Sequence, residues 1–213
     1  MANSTEVRQE PRWSRRKEAR PEEITAAALE LFVERGYAAT RLEDVASRAG
    51  VSKGTVYLYF ANKEDLFKAV VREGLVSPLV TFQGVADQYE GGTFELLRLL
   101  VCGWWERIGS TRVSGIPKLI IAESGNFPEL ARFYVSEVVE PGHATVVAIV
   151  RRGIARGEFR DIDPDHAARL IVAPLLLSML WRNSLAQHSQ QQMDPMKYLD
   201  AHLDLLEHGL RKE

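Results

Sequence analysis

The sequence predicts an all-α protein: an N-terminal three-helix bundle containing a helix-turn-helix, followed by a larger C-terminal helical domain. Three observations carry the prediction. From Ile24 onward, apolar residues recur at the i, i+3, i+4 spacing of one helix face. Two short amphipathic stretches are separated only by the turn Ala49-Gly50-Val51-Ser52. Beyond residue 75, apolar helical stretches alternate with short breaks, several marked by proline or glycine.

Taken in order, residues 1–20 carry Arg8, Arg12, Arg15, Arg16, Lys17 and Arg20 against three acids and few apolar groups. They read as a mobile basic arm, either a solubilising tail or a contact to an anionic partner. The first helix buries Ile24, Ala27, Ala28, Leu31 and Phe32; Pro21 suits its first turn and Gly36 its end. Thr40, three residues before Glu43, is expected to open the second helix as a capping box. Leu42, Val45, Ala46 and Ala49 form its apolar side. Ser52 is the expected N-cap of a third helix through Tyr59, and Asn62 of a fourth carrying Leu66, Phe67, Val70 and Val71. The second and third helices are too short to be stable alone, so each must bury its apolar side on the first.

Composition bounds the function. Of 213 residues, 46% are apolar and 26% charged, which excludes a disordered chain. A net charge of −2 excludes a uniformly basic nucleic-acid coat protein. Cys102 stands alone, so an internal disulfide or a thiolate zinc cluster is excluded. The N-terminus lacks the apolar stretch of a secretory signal, and the longest apolar run, Leu170 to Trp181, falls short of the ~20 residues a bilayer needs. A soluble cytoplasmic protein without a membrane partner is expected.

The third helix carries the chemistry. Lys53 and Thr55 project from its first turn, where a recognition helix meets base edges in the major groove of double-stranded DNA. Lys53 suits guanine O6 or N7, and Thr55 a base or phosphate. Gly54 permits close approach to the duplex. Tyr57 and Tyr59 offer hydroxyls for phosphates, and Lys63, with Thr40 and Arg41, adds grips at helix starts. Other readings of the same residues remain: Thr40 and Ser52 as plain caps, Tyr59 as part of the small core, Lys53 as an ordinary surface lysine. Residues 1–70 hold 12 basic and 11 acidic side chains, a feeble overall attraction for DNA. The stretch from Lys53 to Lys63 is free of acids, so affinity should rest on a local patch and on two copies binding together.

The run Ala28-Leu29-Glu30-Leu31-Phe32, Gly36-Tyr37, Thr40, Val45-Ala46, Ala49-Gly50-Val51-Ser52-Lys53-Gly54-Thr55-Val56-Tyr57-Leu58-Tyr59-Phe60 and Asn62-Lys63-Glu64-Asp65-Leu66 resembles the DNA-binding segment of the TetR/AcrR family of bacterial transcriptional regulators. The resemblance is ungapped over about residues 20–70. It implies DNA contact at Lys53, Gly54, Thr55, Tyr57, Tyr59 and Lys63. One departure is Tyr59, where many members carry histidine; both side chains can donate to a phosphate. Beyond residue 70 only size and helical character agree.

Residues 71–213 read as an effector-binding and dimerisation domain after a DNA-binding domain at 21–70. Helices are expected near 93–112, 116–123, 127–139, 141–157, 164–187 and 194–211, with Pro174 kinking the fifth. Asp163-Pro164-Asp165 reads as a helix cap rather than a metal loop, and no cofactor or metal is expected. Helices 164–187 and 194–211 offer more apolar surface than a monomer needs, so they are expected to build a four-helix homodimer interface. Trp104, Trp105, Phe133, Tyr134, Met179 and Trp181, with Glu137 and His143 as polar groups, read either as plain core or as the wall of a small-molecule effector pocket. A buried Glu137 would favour a cationic ligand.

These expectations describe a homodimeric repressor released from a near-palindromic operator by a small apolar effector. The rivals are an architectural DNA-binding dimer without effector and an enzyme using Glu137 and His143 as acid and base. Against the enzyme, the sequence lacks the nucleophile elbow, the zinc-protease helix motif, the P-loop and the dinucleotide fingerprint.

Overall fold

The computed structural model describes residues 21–190 and 193–212; the basic arm expected at 1–20 lies outside the described residues. Among those described there is no strand, only one isolated antiparallel bridge between Phe159 and Arg211. None of the described helices is long and apolar enough to cross a membrane.

Helix α1 (Pro21–Arg35) buries the predicted face of Ile24, Ala27, Ala28, Leu31 and Phe32. It stops at Gly36, whose φ of 87° is costly for any residue with a Cβ. Helices α2 (Leu42–Arg48) and α3 (Lys53–Tyr59) come next, joined by a turn with Gly50 at φ 70°. Helix α4 (Lys63–Val71) closes the bundle, with Phe67 edge-on to Phe32 at 5.4 Å and to Tyr37 at 5.5 Å. Ser52 and Asn62 cap α3 and α4 by accepting from the backbone N–H groups of Thr55 and Asp65.

The capping box expected of Thr40 and Glu43 does not form. The N-cap of α2 is Arg41, without a side-chain bond. Thr40 is buried, and its hydroxyl donates backwards to Gly36 O at 2.8 Å and Leu31 O at 3.3 Å. Helix α2 starts at Leu42, one residue later than a box from Thr40 to Glu43 requires, so Thr40 stands before the N-cap.

The helical backbone passes residues 70–71 without a break. From α4 it runs through a π turn (Arg72–Val76) into α5 (Ser77–Gln88). Helix α6 (Thr93–Trp104) continues into a second π turn (Trp105–Gly109), and a 3-10 turn (Arg112–Ser114) leads to α7 (Gly115–Glu123). Helix α8 (Pro128–Tyr134) joins α9 (Glu140–Ala155) through a third π turn (Val135–Val139), so the helices expected at 127–139 and 141–157 are one continuous rod. Pro141 therefore lies inside the rod, directly after the π turn, rather than at a free helix start. Helix α10 (Pro164–Leu180) carries Pro174 inside it and ends in a π turn (Trp181–Leu185); α11 (Pro195–Leu210) completes the fold. Asp163 and Asp194 accept from the first backbone N–H groups of α10 and α11, the capping role expected of Asp163.

One hydrophobic core runs from Ile24 to Leu210. Its two halves meet where Val33 of α1 packs on Gly115; a Cβ there would lie 2.7 Å from the valine methyls. Tyr37 also meets Phe127 edge-on at 4.8 Å.

Candidate nucleic-acid interface and effector cavity

Helix α3 presents an outward face at i, i+4 spacing: Lys53 with Tyr57, and Gly54 with Leu58. Tyr57 is 46% exposed, Tyr59 43% and Leu58 76%. Val56 and Phe60 point into the core and fix the helix on its bundle. Ser52 and Thr55 share a hydroxyl hydrogen bond at 2.8 Å, so the helix start is polar and ordered. Leu58 was missed by reading for polar contacts. Its signal was its place one turn after Gly54, and an exposed apolar side chain there suits a thymine methyl.

The patch around Lys53 is not free of acids in three dimensions. The Lys53 ammonium pairs with the Glu43 carboxylate of α2 and stands 5.6 Å from the Tyr57 ring centroid. The hydrogen bond from Lys53 holds the Glu43 carboxyl below the usual carboxylate range, and the same bond raises the lysine.

The grips at the helix starts differ from one another. Arg41 is exposed. Thr40 is buried, so its side chain is not presented to a phosphate. Lys63 is half-buried and turned inward: Nζ donates to Tyr37 O at 2.7 Å and Ala38 O at 3.1 Å, over the Tyr37 ring at 4.4 Å. Burial lowers its pKa. Two of its three donors hold the α1–α2 turn, which leaves one for an anion.

In the larger half, a cavity of about 750 Å³ lies between α5, α6, α7, α9 and α10. Leu75, Ile108 and Val138 bring the first three π turns into its wall, in keeping with the tendency of such turns to mark functional sites. Most lining side chains are apolar; Ser124, Glu140, His143, Thr145 and Arg169 supply the polar rim. His143 Nε2 lies 3.2 Å from Asp165 Oδ1. Tyr134 lines the wall, burial pushes its phenol up to about 12, and its hydroxyl has no hydrogen-bond partner among the described residues.

The predicted pocket set divides. Trp104, Tyr134, His143 and Met179 line the cavity, whereas Trp105, Phe133, Glu137 and Trp181 do not. In each of the pairs Trp104–Trp105 and Phe133–Tyr134, only one ring faces the cavity. Trp105 is buried against Gly109, and Trp181, two residues past Met179, is turned away. Phe133 lies beneath the Lys68 and Arg72 cations at 5.5 and 5.1 Å. Glu137 pairs with Arg72 at 3.6 Å rather than facing the cavity, which removes the argument for a cationic ligand. Periodicity alone missed the aliphatic wall of Leu79, Leu100 and Leu176, because apolar helix positions read equally as core.

Comparison with known proteins agrees with this geometry. Residues 24–70 match the model of bacterial regulatory proteins of the tetR family, and residues 91–192 the tetracyclin repressor-like C-terminal domain. The transcriptional repressor KstR2 of Mycolicibacterium smegmatis is 27% identical over 165 residues, covering 76% of this chain and 79% of that protein. The regulator RutR of Escherichia coli K12 is 42% identical over 73 residues, 33% of this chain and 34% of its own. Among solved structures, Bacillus subtilis FadR in complex with stearoyl-CoA superposes with a TM-score of 0.75 at 23% identity, covering 89% of this chain and 99% of that one. The protein is a helix-turn-helix regulator of transcription, not an enzyme. It belongs to the TetR family.

Proposed function

We propose that this regulator is a homodimeric repressor, released from a near-palindromic operator when a small apolar molecule fills the cavity. In this reading residues 21–70 bind DNA and residues 71–213 sense and dimerise. Lys53, Gly54, Thr55, Tyr57 and Leu58 face the major groove, Ser52 orders the helix start, and Arg41 and Tyr59 meet phosphates beside it. The observation that carries the proposal is the cavity, whose volume and few polar groups are those of a small-molecule site.

The effector has an elongated or fused-ring apolar body and one acceptor within reach of the free Tyr134 hydroxyl. The likeness to a regulator solved with stearoyl-CoA, and to KstR2, described as a ketosteroid regulator, supports that shape. Dimerisation through 164–187 and 194–211 is supported by apolar side chains left in the open on these elements, among them Leu170 at 68% and Leu205 at 72% exposure. It sets the two recognition helices roughly 34–36 Å apart, one duplex turn. Filling the cavity favours a conformer in which that spacing is lost.

The test has two steps. Duplexes bound by the full-length protein are selected from a random pool, and a symmetric consensus is expected. Long-chain acyl-CoA and steroid compounds are then screened for thermal stabilisation and for release of that duplex. An asymmetric consensus refutes the dimer. Stabilisation by no apolar compound refutes the effector.

A further inference from the structure

We propose that Glu43 is a specificity-determining positioning residue, which pins the Lys53 ammonium so that a flexible cation reads a particular base pair. The inference rests on Lys53 as the base-reading lysine. Lysine is a point charge on a mobile four-carbon stem, and alone it binds phosphates of any sequence. Here it is held from two sides, by the Glu43 carboxylate of the preceding helix and by the Tyr57 ring one turn along its own. The other charges of α2 are engaged elsewhere. Asp44 pairs with Arg35 at 3.5 Å, and Arg48 pairs with Glu30 at 2.8 Å and Glu34 at 3.1 Å.

An ammonium has three donors. Glu43 occupies one and leaves two for a guanine edge, so the pair survives docking rather than competing with it. The carboxylate also has a cost. It is about half exposed beside the recognition helix and repels the phosphates of every duplex alike. The cost falls on all sequences, whereas the benefit of a fixed ammonium arises only where an acceptor stands at the matching place. Such an arrangement gives up general affinity for discrimination.

Full-length Glu43→Gln, Lys53→Ala and the double variant are titrated across a salt series. The duplexes are the selected operator, its single base-pair variants and a random-sequence duplex. Glu43→Gln is expected to bind the random duplex about three- to tenfold tighter, with the salt slope steeper by about 1 per subunit. Its discrimination at one base pair falls about five- to tenfold. In the Lys53→Ala background it should cause no further loss of discrimination. Equal tightening on operator and random duplex, with discrimination kept, makes Glu43 a mere repeller and overturns the proposal. Weaker binding to both duplexes with a lowered melting temperature makes it a structural residue and overturns it too. Should Lys53→Ala alone preserve every base preference, the reading of Lys53 fails first. Should Lys53→Ala lose a preference that Glu43→Gln keeps, only the role of Glu43 fails.

Discussion

The Glu123 carboxylate, at the C-terminal end of α7, accepts a hydrogen bond from the Ala38 backbone N–H at 3.2 Å and so joins the cavity wall to the α1–α2 turn. Ile120, Ile121 and Ser124 beside it line the cavity. On the other side of the turn, Lys63 holds the carbonyls of Tyr37 and Ala38. In the proposed function this contact is one route from the cavity to the DNA-binding bundle, beside the continuous backbone from α4 into α5. Glu123→Ala should leave operator affinity within about threefold of the parent while raising the effector concentration needed for release about tenfold. Gel shifts titrated with effector measure both; an unchanged release curve removes α7 from the route.

Thr40 and Lys63 hold the same turn, so their loss should show in stability before it shows in DNA binding. Thr40→Ala removes a buried donor from two carbonyls and should cost about 1–2 kcal/mol, read by urea unfolding. Lys63→Met keeps the stem and deletes the donors, and should also lower stability, by about 1 kcal/mol. A Lys63 variant that weakens every duplex yet unfolds like the parent would make the lysine a phosphate grip alone.

Leu58 should read a thymine methyl. Leu58→Ala is expected to cost about 1 kcal/mol on the selected operator and nothing on a duplex with uracil at the contacted position. Equal losses on both would assign the side chain to helix packing, although its exposure argues otherwise.

The dimer should come apart at exposed apolar positions. Leu177 and Leu205 stand in the open on α10 and α11. Leu177→Arg or Leu205→Glu should yield monomers by light scattering and lower operator affinity at least about a hundredfold, since each half-site then binds alone. A monomeric variant that keeps full operator affinity would remove the need for two copies.

Alkaline pH should destabilise the fold. Burial pushes Tyr37 and Tyr134 up to about 12, above the ordinary phenol value of 10. Between pH 10 and pH 12 the unfolded chain releases these protons while the folded one retains them, so stability falls as pH rises through that window. Below pH 10 both states hold the protons and these groups contribute no slope. Tyr37→Phe or Tyr134→Phe should flatten the decline in melting temperature; an unaltered profile would mean that neither phenol is desolvated.

The helix-turn-helix was legible because its signals are local: Gly36 and Gly50 at positive φ, Ser52 and Asn62 as caps, Val56 turned inward. The pairing of Glu43 with Lys53 was not, because it depends on how two helices cross rather than on spacing along either. Thr40 misled because the Thr-x-x-Glu spacing fits a helix starting at Arg41, whereas α2 starts at Leu42 with Arg41 as its N-cap. In the larger half, the π turns were the main obstacle. Each adds a residue to a helical turn and rotates the rest of the helix by about 100°, and no residue type announces it. Glu137, inside one of them, therefore turns to Arg72.

The seat of Val33 on Gly115 makes the spacing between reader and sensor depend on the smallest possible side chain. A single methyl group at 115 would act as a shim, prising the N-terminal bundle away from α7 while leaving the side chains of the ligand chamber and of α3 chemically intact.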